Sequence, residues 1–328
     1  MRKSSLVLAA VLVLTLVLGL PQAYAEKTRP LIVIIQIVQH GALDAAREGF
    51  LKTLSDAGYQ DGVNMTVDYR NAQGDQATLS SIADYFVSEQ ADLVLAIATP
   101  SALAIAGKTE TIPILGTAIT DYEAARLVQS NEAPGYNVTG TTDMVSVAEQ
   151  IAMIPRLLPT AETVGLIYTS SEVNSQIQID LAKAEIEKLG LKWTEVTVNS
   201  ANDVQQAVNS IMPGIDALYI PTDNTLASAM PLVYEASLAH RVPVVAGEAN
   251  MVRQGGHFTL AIDYYKLGEQ TGEMALRVLR DGASVAEMPV ESQVGQTYFI
   301  NKTATDELGI VIPEDLLPYA EEVDMVGN

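Results

Sequence analysis

The sequence predicts an α/β protein built as two doubly wound, Rossmann-like lobes with parallel sheets, joined by a three-strand hinge. Three observations predict it. The chain has 328 residues, roughly 300 once an N-terminal leader is removed, which exceeds what one hydrophobic core commonly holds. Short apolar, β-branched runs alternate with segments of helical spacing, the pattern of a buried parallel sheet covered by helices. The same grammar restarts at Thr163, as two similar units would require.

The leader comes first. Arg2 and Lys3 precede an uncharged apolar run from Leu6 to Leu20, followed by Pro21 and the small-x-small triplet Ala23-Tyr24-Ala25. That is the form of a secretory signal peptide cleaved near Ala25, and the run is shorter than the roughly 20 residues of a membrane span. An uncleaved anchor helix is the alternative, against which the cleavage site speaks.

Leu31 to Val38 then reads as a buried strand, Ala42 to Ala57 as a helix, Val63 to Tyr69 as a strand, and Gln76 to Glu89 as a helix. Asp92 to Ala98 and Pro100 to Lys108 make the next strand and helix. From Thr163 the second series runs through a strand at Val164 to Tyr168, a helix at Ser175 to Leu189 and a strand at Lys192 to Val198. The two halves match best where Asp92-Leu-Val-Leu-Ala-Ile-Ala-Thr99-Pro parallels Asp216-Ala-Leu-Tyr-Ile-Pro-Thr222-Asp. Each match is an acidic start, a buried strand, a polar tip and a helix, followed by a Pro-led strand at Pro113 or Pro243. Tyr264 to Arg280 is a late amphipathic helix and Thr297 to Ile300 a last strand. With crossings near Asp143, Asp263 and Pro289, residues 26–143 plus 264–288 form one lobe, and 144–263 plus 289–328 the other.

Composition narrows the function. Cleavage removes Arg2 and Lys3 and no acid, taking the net charge from −21 to −23. Such a surface repels phosphate backbones, so nucleic acid is not an expected partner. There is no cysteine, which excludes disulfides, thiolate metal sites and a lipid-modified cysteine. The expected location is free in the periplasm.

Ligands of open parallel sheets sit at the carboxyl ends of the strands, which selects the tip residues. Thr99-Pro100-Ser101 looks like a helix start whose free N–H groups would hold a carboxylate; the alternative is that Thr99 or Ser101 merely caps its own helix, and the two roles are compatible. Asp121, Asp223 and Glu248 are the complement, suited to an ammonium. Asp223 could instead cap the helix that follows, and Asp44 could merely dress the first turn of its own. Tyr122 and Tyr168 are the aromatic candidates for stacking. His40, His240 and His257 fall at no metal-ligand spacing, and neither a metal nor a cofactor is implied. No dinucleotide, Walker A or nucleophile-elbow motif occurs.

In order and spacing the chain resembles the ABC-type substrate-binding proteins related to tryptophan and phenylalanine receptors. The residues that carry this are His40-Gly-Ala-Leu-Asp44, Gly58-Tyr59-x-x-Gly62-x-Asn64, Ala98-Thr99-Pro100-Ser101-Ala102, Thr120-Asp121, Asn137-Val-Thr-Gly140, Pro221-x-Asp223-Asn224, Ile300-Asn301 and Leu308-Gly309-Ile310. The resemblance implies a type I periplasmic binding protein that closes on an amino acid and works with an ABC permease and its ATPase, as a monomer and not as an enzyme. It implies Thr99, Ser101 and Thr120 on the ligand's carboxylate, Asp121, Asp223 and Glu248 on its amine, and Asn174 and Ser175 touching it from the second lobe. The family usually has Pro where Gly41 and Tyr122 stand here. Tyr122 either stacks on an aromatic ligand or fills the space one would occupy. A sensor that hands its ligand to a signalling receptor, or a periplasmic enzyme on the same scaffold, are the rival readings, since fold alone does not separate them.

Overall fold

A computed structural model describes residues 29–293 and 295–324; the export signal read from residues 1–25 lies outside them. Two mostly parallel sheets with flanking helices form two lobes, the type I periplasmic binding protein fold. The first sheet contains β1 (Leu31–Gln36), β2 (Thr66–Asn71), β3 (Leu93–Ile97), β4 (Ile114–Ile119) and β5 (Val138–Thr142), ordered β2-β1-β3-β4-β5. The second contains β6 (Thr163–Thr169), β7 (Lys192–Val198), β8 (Ala217–Ile220), β9 (Val244–Ala246) and β10 (Phe258–Ala261), ordered β7-β6-β8-β9-β10.

The central strands are almost entirely apolar because both faces are covered: β3 and β4 have only buried residues, while the edge strand β2 has none. The repeated acidic starts do the same work in each lobe. Asp92 Oδ2 accepts from Leu31 N at 2.7 Å, clamping the start of β1 to that of β3. Asp216 Oδ2 accepts from Glu162 N and Thr163 N at 2.8 and 2.9 Å, clamping β6 to β8.

The chain leaves the first sheet after Thr142 and enters the helix Val147–Leu157, whose apolar face joins the core of the second lobe. It returns after β10, because the helix Tyr264–Leu279 packs on the helix Gly41–Asp56. That crossing is built on glycine: a Cβ on Gly268 would lie 1.9 Å from Ala46 O, and one on Gly49 2.0 Å from Tyr265 O. The third crossing is later than the expected Pro289. Short strand β11 (Glu291–Ser292) pairs with Thr141–Thr142 at the edge of the first sheet. Only beyond it does β12 (Thr297–Asn301) run antiparallel to β10, with β13 (Ala320–Glu321) beside it.

Candidate functional site

The tips of β1 and β4 meet those of β6, β8 and β9 across the seam between the lobes. They enclose a cavity of about 20 Å³ lined by His40, Leu43, Ala118, Thr120 and Asp143 on one side and Asn174, Thr222, Asp223, Asn224, Ala227, Glu248 and Met251 on the other, with Tyr264 from the returning segment. That volume holds roughly one water. Direct contacts zip the seam: His40 Nε2 lies 3.4 Å from Asn224 Oδ1, Thr120 Oγ1 3.3 Å from Thr222 Oγ1, and Gln178 Nε2 reaches both threonine hydroxyls.

Buried polar groups are almost always hydrogen-bonded, so each exception calls for a reason. Here the exceptions gather at the strand tips. His40 Nδ1, Asp143 Oδ1 and Asn174 Oδ1 are all buried without a partner, and all three residues line the cavity. Thr99 Oγ1 and Ser101 Oγ, at the start of the helix Thr99–Ala106, are also buried and unpartnered, although neither residue lines this cavity. Two of the six non-glycine residues with positive φ among the described residues also lie at strand tips. Ala98 and Ala118, at the tips of adjacent strands β3 and β4, have φ of 75° and 55°, left-handed values that cost a non-glycine residue roughly 1–3 kcal/mol each.

Carboxylates dominate the electrostatics. Burial raises the pKa of Asp143, with the Tyr264 and Thr120 hydroxyls pulling the other way. Burial also lifts Glu248 to about 7, although the Asn250 and Met251 amides favour its ionised form. Burial and the neighbouring Asp223 raise the pKa of Glu172, while the Asn224 and Thr225 donors favour its ionised form. His40 is pushed down to about 4 by burial, so it is neutral at pH 7. No lysine or arginine lines the cavity; Arg253, outside its lining, favours the ionised form of Glu248.

Six of the residues singled out from the sequence line this cavity: His40, Thr120, Asn174, Asp223, Asn224 and Glu248. The rest are placed otherwise. Tyr122 is not at the surface of the cleft; it is 1 % exposed, donates its hydroxyl to Thr141 O at 3.1 Å, and fills space opened by Gly116 and Gly140, where a Cβ would come within 2.5 Å of its oxygen. Tyr168 packs in the second lobe's core with Ile179 and Ala182. Asp44 is held by Arg47 at 2.9 Å and Gln36 at 3.2 Å, and Asp121 accepts from Ala124 N in a turn. Thr99 does not cap its helix, because Ala98 is the N-cap and no side chain caps it. Asp223 does cap its own. It accepts from Thr169 N, Thr169 Oγ1, Ser175 Oγ and Leu226 N at 2.6 to 2.9 Å, which fills the acceptor positions of both oxygens. Ser175 thus serves Asp223 rather than the cavity. Gly41, which departs from the family's pattern, lets the lobes meet: a Cβ there would lie 2.4 Å from Asn250 Oδ1.

Sequence reasoning missed Asp143, Tyr264 and Glu172. Asp143 was read only as a crossing point, and its polarity in the otherwise apolar and hydroxylated run around Val138–Val145 was the available signal. Glu172 sits in a polar loop, and its partners Asn224 and Thr225 lie 52 and 53 residues further on.

Comparison with known proteins places this geometry. Residues 31–324 match the family described as ABC transporter substrate binding protein. A tyrosine-binding protein of Clostridioides difficile is 42% identical over 284 residues, covering 87% of this chain and 79% of that one. The ABC domain from Streptococcus pneumonia, solved in complex with L-Trp, is 36% identical with a TM-score of 0.86, covering 90% of this chain and 100% of that one. The ligand-free, open structure of CD0873, a substrate-binding protein from Clostridium difficile with adhesive properties, is 41% identical but has a TM-score of only 0.67, with 90% of this chain and 100% of that one covered.

Proposed function

The chain belongs to the ABC transporter substrate-binding protein family, and on that premise we propose that it is the receptor of an importer, closing its lobes on a free amino acid with an aromatic side chain. One observation carries the ligand class: His40 Nδ1, Asp143 Oδ1 and Asn174 Oδ1 are three unpartnered acceptors on the wall of one cavity that contains no cation. An ammonium has three N–H donors and one positive charge, and satisfies that wall. The Thr99 and Ser101 hydroxyls, on a helix N-terminus that no side chain caps, suit the carboxylate. The tyrosine-binding and L-Trp-bound relatives support an aromatic side chain.

Closure is the working motion. The fold here superposes better on the L-Trp complex than on the more nearly identical open protein, which supports a closed arrangement of the lobes. A cavity of about 20 Å³ is far below the roughly 300 Å³ at which ligand pockets begin, so the lobes must part to admit an amino acid. The ligand then stabilises closure through contacts that exist only in the closed state, and the closed form is what the permease, with its ATPase, would read. In this reading the mature chain starts near Glu26 and works as a periplasmic monomer. Mass spectrometry of the small molecule released on denaturing freshly purified protein tests the proposal: tyrosine, tryptophan or phenylalanine is expected, and a sugar or a molecule without an amino group would refute it. A ligand consumed on incubation would favour the enzyme reading instead.

A further inference from the structure

The Glu172 carboxylate is 2 % exposed, is not part of the lining of the interlobe cavity, and is fully engaged. Its Oε2 accepts from Asn224 N at 3.0 Å, Asn224 Nδ2 at 2.5 Å and Asn174 Nδ2 at 3.3 Å, and its Oε1 accepts from Thr225 N and Thr225 Oγ1 at 3.0 and 2.9 Å. A carboxylate only accepts. It therefore draws the NH₂ end of Asn224 toward itself, shares that of Asn174 with the Thr222 carbonyl, which accepts from Asn174 Nδ2 at 2.8 Å, and both amide oxygens are turned away. The Asn174 oxygen faces the cavity without a partner; the Asn224 oxygen meets His40 Nε2 across the seam at 3.4 Å. A neutral imidazole has one donor and one acceptor nitrogen. Opposite an amide oxygen, His40 must carry its proton on Nε2, which leaves Nδ1 as a bare acceptor.

We propose that Glu172 is the positioning residue that makes the cavity wall accept hydrogen bonds from both lobes, fixing the Asn224 amide directly, the Asn174 amide together with Thr222 O, and the His40 tautomer through Asn224. The inference rests on the amino-acid reading and deepens it. Because His40 belongs to the first lobe and Glu172 to the second, the acceptor wall is complete only when the lobes meet, which ties recognition of the ammonium to closure.

The test compares two probes by titration calorimetry: L-tyrosine, and 3-(4-hydroxyphenyl)propionate, which lacks only the amino group. Glu172→Gln introduces an NH₂ that competes for the same positions, and Asn224→Leu removes the amide between Glu172 and His40 while leaving the Thr225 bonds intact. Each variant is expected to weaken L-tyrosine roughly tenfold to a hundredfold, the scale of one or two buried hydrogen bonds to a charged group, and to change the deamino probe by less than about threefold. Because the residues act in series, the double variant should lose no more than the worse single one. In the L-tyrosine complex, ¹⁵N spectra should show His40 protonated at Nε2, with the Nδ1–H form appearing in either variant. Equal losses for both probes, or none for either, overturn the assignment to Glu172 while leaving the amino-acid reading intact. Failure of the unmodified protein to bind L-tyrosine, L-tryptophan or L-phenylalanine overturns that reading, and this one with it.

Discussion

Asp143 and Tyr264 come from two of the segments that cross between the lobes, and the hydrogen bond between them, 2.7 Å from the Tyr264 hydroxyl to Asp143 Oδ2, leaves Asp143 Oδ1 bare in the cavity wall. Under the proposed function, the hinge therefore holds the carboxylate best placed to receive a ligand's ammonium. Asp223, the acid at a strand tip that sequence reasoning favoured, has its acceptor positions taken by its own lobe.

Asp223→Ala is accordingly expected to act on stability. It strands the buried Thr169 and Leu226 amides and removes a helix cap, at a combined cost of about 2 to 4 kcal/mol. Chemical denaturation should report that loss, and the protein that remains folded should bind its amino acid within about threefold of the unmodified affinity.

Tyr122→Phe should cost about 1 kcal/mol, the worth of the bond to Thr141 O, and leave ligand affinity unchanged. An affinity loss of tenfold or more in calorimetry would return Tyr122 to the binding site.

Gly41→Ala places a methyl group 2.4 Å from Asn250 Oδ1 and so obstructs the seam without touching either core. The open form is unaffected, hence ligand affinity should fall by roughly tenfold, about 1.4 kcal/mol. Thermal melting of the ligand-free protein should not move.

Affinity should also depend on pH near neutrality. Glu248, lifted to about 7 by burial, is pulled back toward ionisation by a bound ammonium. Affinity is then complete above pH 7 and declines as pH falls through it, with proton release visible as a buffer-dependent binding heat. In the ligand-free protein the same group acts with the opposite sign on stability. Its folded pKa of about 7 lies above the ordinary 4.5, so the penalty of burying its charge is relieved on acidification from 7 to 4.5. His40, shifted from 6.5 to about 4, opposes that gain between those two values. Because Glu172 and His257 are also shifted by burial, comparing denaturation curves of Glu248→Gln and the unmodified protein at a series of pH values isolates the Glu248 contribution.

Much of this was legible in the sequence. The strand-tip-helix repeat is real down to single residues, with Asp92 and Asp216 clamping equivalent strands, because a buried parallel strand must be apolar and its polar ends stand out. The rule that ligands gather at carboxyl ends of strands found six residues of the cavity wall. It could not tell which of the acids at those tips is saturated by its own lobe, since the donors to Asp223 come from a segment 54 and 48 residues earlier. Nor could it see that Tyr122 turns inward, because that depends on two glycines on neighbouring strands. The third crossing was misplaced because a two-residue strand carries no periodicity.

The most direct measurement is calorimetric titration of Asp143→Asn with L-tyrosine and L-tryptophan. An asparagine keeps the shape and can still receive the Tyr264 hydroxyl, but removes the charge. Loss of about 2 to 5 kcal/mol in binding, the cost of leaving a buried ammonium without its partner, is the expected result. An unchanged dissociation constant in a protein that melts normally would contradict an ammonium at Asp143.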